Sequence, residues 1–236
     1  MQLTALVLSL ALSASALPVP SFLVARQNSI SGKTISLLPL GDSITWGYPN
    51  PTTGYRSPLY NSLAALSPES LDFVGSVQAG TMKDPDNEGH PGYTIAQIAS
   101  AASAIKSRYK PNVIILHAGT NDANGSADPS QAGNNLGKLI DQVISQWPNA
   151  ALLVARIIPS TNSNTQRNID TLNSQINTLV SNRANQGKHI AVVDMSKGKI
   201  NTSDLSDSLH PTQAGYAKMA NLWLAGIKTA AGKGWF

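Results

Sequence analysis

A chain of 236 residues is long enough for one domain with a substantial core, and no linker-like stretch divides it. Charge is sparse, at 13% of residues with a net +4 and no Lys/Arg run, so there is no electrostatic footprint for nucleic acid or an anionic membrane. Cysteine is absent, which excludes disulfide staples, thiol catalysis and cysteine zinc sites and leaves stability to core burial.

Residues 1–16, MQLTALVLSLALSASA, combine an uncharged start, an apolar run from Leu3 to Leu12 and the small residues Ala14, Ser15 and Ala16, the pattern of a secretory signal peptide. The run is far shorter than the ~20 residues that span a bilayer. Secretion is therefore expected, not anchoring. Residues 17–32 show no hydrophobic period and read as a leader or propeptide, which leaves 33–236 as the folded domain. Asn124-Gly-Ser and Asn201-Thr-Ser match the glycosylation acceptor pattern, which has physical meaning in the secretory pathway.

Beyond the leader, apolar runs of strand length alternate with segments of helical period. Strands are predicted near Thr34–Leu40, Leu71–Gly75, Val113–His117, Ala150–Ile158 and Ile190–Val193. Helices are predicted over Ser57–Leu66, Thr94–Tyr109, Pro129–Gln146, Gln166–Asn185 and Thr212–Ala230, the last N-capped by Thr212 or a near neighbour. The unbroken apolar run Val113–His117 suits a sheet covered on both faces. Alternation of this kind predicts a flavodoxin-like three-layer α/β/α sandwich around a five-stranded parallel sheet, with chemistry at the C-terminal strand ends.

The first strand runs into Gly41-Asp42-Ser43, where a turn through glycine presents a hydroxyl above the sheet. Alone, Ser43 reads as a capping serine. Near the other end, Asp207-Ser208-Leu209-His210 sets a carboxylate three residues before an imidazole, so one short turn can hold both. The carboxylate then accepts from one ring nitrogen while the other takes the serine proton. His117 and His189 lie in or beside predicted strands and read as satisfied structural histidines. Acyl transfer further needs donors for a developing oxyanion. Asn121, in Gly119-Thr120-Asn121-Asp122, offers a side-chain amide, and Gly92, in Gly89-His90-Pro91-Gly92-Tyr93, offers a backbone N–H. Turn chemistry explains any one of these loops, but four such loops at strand ends converge on one chemistry.

These residues resemble the SGNH/GDSL hydrolases: Gly41-Asp42-Ser43 is similar to the first signature block, Gly92 to the glycine of the second, Gly119-Thr120-Asn121-Asp122 to the third, and Asp207 with His210 to the last. The resemblance runs in order over about residues 35–227. It implies Ser43 as nucleophile, His210 as base and acid, Asp207 as its orienter, and an oxyanion hole from the Ser43 and Gly92 N–H groups with the Asn121 amide. The stretch from Asp86 to Ile95, with Gly54-Tyr55-Arg56 and Asp72-Phe73-Val74-Gly75-Ser76, further resembles carbohydrate esterase family three, which implies deacetylation of acetylated xylan and related sugars. On that reading Tyr55, Arg56 and His90 are candidates to contact sugar, against a solvated surface role for Arg56.

Other motifs fail on inspection. Gly32-Lys33-Thr34 imitates the end of a phosphate-binding loop, but Gln27 stands where its first glycine belongs and a strand follows. Asp84 to Gly89 resembles half a calcium loop, yet Ile95 occupies the bidentate Glu position, so a structural cation competes there with a plain acidic turn. No G-x-S-x-G and no H-E-x-x-H occurs, so neither an α/β-hydrolase elbow nor a zinc site is expected, and no cofactor is required. The expectation is a secreted, monomeric serine esterase acting on acetylated polysaccharide or small esters. The alternatives are a general GDSL lipase or arylesterase and a non-catalytic carbohydrate-binding protein. No long apolar segment offers a lid or acyl tunnel, which favours short acyl groups.

Overall fold

The structure, a computed structural model, describes residues 30–49 and 51–236, so the signal-peptide reading and most of the leader lie outside the described residues. Folding begins before residue 33. Ile30 is buried in the core, Lys33 N donates to its carbonyl at 3.1 Å, and Gly32 N donates to Ser67 O at 3.1 Å, so residues 30–32 pack with the domain.

Five strands form the expected parallel sheet: β1 (Thr34–Gly41), β2 (Ser70–Phe73), β5 (Val113–His117), β6 (Ala151–Arg156) and β7 (Ile190–Asp194), in the order β2-β1-β5-β6-β7. Two short strands were not expected. β3 (Val77–Gln78) and β4 (Asp86–Gly89) form an antiparallel hairpin, and β4 pairs in parallel with the last residues of β1, Leu40 with Glu88 and Gly41 with Gly89. β2 covers only the first half of that edge, from Thr34 to Leu37. Asp86–Gly89, the larger part of the acidic segment once comparable to a calcium loop, is therefore strand, and the segment's side chains hold the surrounding backbone. Asp84 accepts from Phe73 N at 2.7 Å, and Asn87 donates to the Val77 and Pro85 carbonyls at 3.2 and 3.0 Å. Among the described residues no group of three or more His, Cys, Asp or Glu is placed to hold a metal ion.

The period of two in the strands builds two cores. Leu38, Leu40, Ile114, Leu116, Leu152 and Val154 face α3 (Ile95–Ile105), α4 (Ala132–Gln146) and α5 (Ser163–Ala184). Leu37, Val113, Ile115, Leu153 and Ala155 face α2 (Arg56–Ala64) and α6 (Gln213–Gly232). Helix starts follow side-chain caps: Thr94 and Gln97 form a capping box on α3, Asn162 caps α5, and Thr212 caps α6 by accepting from Gly215 N at 3.1 Å. Pro129 starts a 3₁₀ turn and not α4 itself, and Trp147 closes α4 ahead of Pro148.

Candidate active site

Every predicted site residue except those of the Gly54-Tyr55-Arg56 stretch sits at the C-terminal rim of the sheet. Asp42 caps the four-residue helix α1 (Ser43–Trp46) by accepting from Ile44 N at 2.9 Å, and this sets Ser43 on its first turn. Gly47 closes α1 in the left-handed conformation. The helix rests on β4, where a Cβ on Gly89 would meet Trp46 N at 2.4 Å; only glycine lets the two backbones approach this closely.

Ser43 Oγ lies 2.9 Å from His210 Nε2, and His210 Nδ1 lies 2.8 Å from Asp207 Oδ2. A carboxylate only accepts, so the ring proton sits on Nδ1 and Nε2 faces the hydroxyl. The second Asp207 oxygen accepts from Leu209 N and His210 N, each at 2.7 Å. Partial burial raises the Asp207 carboxyl, but these backbone N–H groups and the imidazole outweigh it and hold it below the usual carboxylate range. Tyr48 packs its ring on His210, with centroids 4.5 Å apart, and is 45% exposed, so this side of the relay opens to solvent.

The second loop is a turn closed by Tyr93 N donating to His90 O at 3.1 Å, with Pro91 and Gly92 at its corners and Gly92 at φ +81°, the glycine position of a type II turn. Among the described residues neither Ser43 N–H nor Gly92 N–H has a protein acceptor. The Asn121 amide donates to Tyr93 O at 2.8 Å, which leaves its second N–H for another acceptor. Asp122, whose carboxyl burial raises, accepts from Ile95 N at 2.9 Å and ties this loop to α3.

Two sugar-contact candidates are displaced by the structure. Arg56 is 0% exposed, and its guanidinium donates to the carbonyls of Thr45 (3.0 Å), Trp46 (2.9 Å), Thr52 (2.7 Å), Ala79 (2.9 Å) and Pro85 (2.9 Å). It is neither a solvated surface group nor free for substrate. Burial lowers its pKa to about 10, so it stays charged at neutral pH. Tyr55 is also 0% exposed, with its hydroxyl donating to Thr45 Oγ1 at 3.0 Å. His90 remains at the rim, half-buried, with Nε2 2.7 Å from Glu88 Oε1.

Sequence reasoning missed Asp42, which is fully buried at the nucleophile's shoulder. Burial raises its carboxyl to about 7 against the capping hydrogen bond from Ile44. His117 is structural but not satisfied: it is buried, neither ring nitrogen has a protein partner, and burial lowers it to about 4, so it is neutral. His189 is exposed and stacks on Trp235. The acceptor residues Asn124 and Asn201 are both exposed. A groove of about 420 Å³ opens beside the relay, bounded by Gly47, Thr53, Ser57, Ser206, Pro211 and Tyr216 among others.

A family model described as GDSL-like lipase/acylhydrolase matches residues 40–218. A multidomain esterase of Ruminococcus flavefaciens is 32% identical over 93% of this chain, and the chain spans only about a third (32%) of that relative's length. A solved family 3 carbohydrate esterase of Clostridium thermocellum is 36% identical, with a TM-score of 0.69, covering 81% of this chain and 94% of that one. A carbohydrate esterase family 3 structure from Talaromyces cellulolyticus is 25% identical, with a TM-score of 0.70, covering 82% and 96%. The matched span holds all four signature loops and both ends of the hydrogen-bonded relay. The chain belongs to the GDSL-like lipase/acylhydrolase family.

Proposed function

We propose that the chain is a secreted carboxylic ester hydrolase that removes acetyl groups from acetylated xylan or a related plant polysaccharide through an acyl-enzyme on Ser43. The observation that carries this is the continuous relay from Ser43 Oγ through His210 to Asp207, at 2.9 and 2.8 Å. As Ser43 Oγ attacks the ester carbonyl, His210 Nε2 takes its proton and the carbonyl oxygen becomes an oxyanion facing the Ser43 and Gly92 N–H groups and the Asn121 amide. Collapse breaks the bond to the sugar oxygen, which leaves with the proton from His210. Water then attacks the acetyl-serine, passing its proton to His210 and finally to the Ser43 oxygen, and acetate departs. Asp207 holds the imidazole in one tautomer throughout.

Two further observations support the sugar ester. Two solved structures similar to this chain are described as carbohydrate esterases. The groove bounded by Ser206 and Pro211, which flank the relay in sequence, also carries proline faces and the hydroxyls of Thr53 and Ser57, a mixture suited to a pyranose ring. Secretion rests on residues 1–16, and Asn124 and Asn201 are the proposed glycan acceptors. The test is acetate release from acetylated xylan beside a chain-length series of simple esters. Acetate esters are expected to be cleaved fastest. Faster cleavage of a long-chain ester, with xylan untouched, assigns the chain to the lipase or arylesterase side of the family.

A further inference from the structure

Outside the relay, the described residues hold one further carboxylate–imidazole pair, Glu88 with His90, and it stands behind the oxyanion loop. Glu88, on β4, is 1% exposed. Its Oε1 lies 2.7 Å from His90 Nε2 and accepts from Ser76 Oγ at 3.1 Å, and its Oε2 accepts from Ser76 N at 2.8 Å. A buried carboxylate held on both oxygens is a fixed point. The register places it there: Glu88 pairs with Leu40 and Gly89 with Gly41, and His90 N donates to Gly41 O at 3.0 Å, so this segment leaves the sheet level with the nucleophile.

From Glu88 the contacts run one way. His90, its Nε2 committed to Glu88, lays its ring flat on Tyr93, with centroids 4.6 Å apart and planes at 13°. Tyr93 N closes the turn on His90 O at 3.1 Å with Gly92 between them, and Tyr93 O takes the Asn121 amide at 2.8 Å. Both donors read as oxyanion ligands, the Gly92 N–H and the Asn121 amide, thus hang on a single turn whose two ends are clamped by the stacked rings of His90 and Tyr93. We infer that Glu88 and His90 are positioning residues for the oxyanion hole, with Glu88 fixing the His90 ring and the ring fixing the turn. This rests on the acyl-transfer reading of Ser43. Neither side chain touches substrate in this role. His90 acts here through Tyr93.

Donors that are displaced by fractions of an ångström weaken the transition state more than the ground state. Glu88→Gln and His90→Ala are therefore expected to lower kcat on a simple acetate ester by ~10- to 100-fold, short of the ~10²–10³-fold loss for deleting one donor, with KM held within ~2-fold. Phenylboronic acid is the direct probe, because its tetrahedral serine adduct sets an oxygen where the oxyanion develops. Its inhibition constant should rise by the same factor as kcat/KM falls, and His90→Gln, which keeps an N–H within reach of Glu88, should recover part of the loss. A purely structural role would lower the folded fraction, read by thermal melting, and leave the boronate affinity of the folded enzyme unchanged. That result overturns the inference, as does a rise in KM at constant kcat. If the boronate fails to inhibit the wild type, the acyl-enzyme reading falls first and this inference with it; if it inhibits wild type and both variants equally, only the positioning role falls.

Discussion

Replacing Arg56 by Met separates a buried structural cation from a sugar ligand. One guanidinium serves the carbonyls of Thr45, Trp46, Thr52, Ala79 and Pro85, drawn from the nucleophile helix, the loop after it and the two ends of the loop that joins β3 to β4. Met fills similar volume but donates nothing. The bonds to Thr45 O and Ala79 O are fully buried, while the other carbonyl bonds are partly buried and their acceptors can recover water. Two carbonyls left dry at ~1–3 kcal/mol each predict a loss of ~2–6 kcal/mol, a large part of the ~5–15 kcal/mol that holds a domain together. The assay is urea unfolding, where such a loss moves the midpoint by ~1–3 M at an m-value near ~2 kcal/mol/M. Arg56→Lys, which keeps charge but loses the planar fork, should fall between. On the fraction that remains folded, KM for acetylated xylan should not change more than KM for a simple acetate ester. An unshifted midpoint together with a KM raised only for the polysaccharide would refute the reasoning and return Arg56 to the substrate.

Two other substitutions probe the nucleophile's seat. Burial raises the Asp42 carboxyl from 3.8 to about 7 in the folded protein, so its contribution to stability is fully present below about pH 4 and is lost as pH rises through about 7. That displacement corresponds to at most ~4 kcal/mol. Asp42→Asn, which can still cap α1, should gain on the wild type between pH 4.5 and 8 when urea midpoints are compared, and parallel pH profiles would count against it. Gly89→Ala drives a Cβ against Trp46 N, with 2.4 Å between them before relaxation, so α1 must shift and kcat should fall by ~10-fold or more for a displacement of this kind. Wild-type kcat in that variant would show that α1 tolerates the added atom.

The parts of the fold that were legible are those in which one local pattern decides. Val113–His117 is an apolar run buried on both faces, and Thr212 caps α6 as its position before an amphipathic segment suggests. The relay was legible because Asp207 and His210 share one turn and Ser43 follows a strand ending in glycine. The β3–β4 hairpin was not, because Asp86-Asn87-Glu88-Gly89 has turn composition and becomes strand only by pairing with the end of β1. Arg56 reads as a surface residue at a helix start, since the carbonyls that hold it come from segments up to 29 residues away. Glu88 and His90 gave only an i, i+2 spacing, which on a strand puts both side chains on one face. Ile30 lies in a polar stretch whose period is too short to reveal that it is core.

Acetate release by the wild type and by Ser43→Ala, from acetylated xylan and from a simple acetate ester, tests the central claim most directly. The variant is expected to fold normally and to lose both activities by ~10³-fold or more. A Ser43→Ala protein that still releases acetate at the wild-type rate would contradict it.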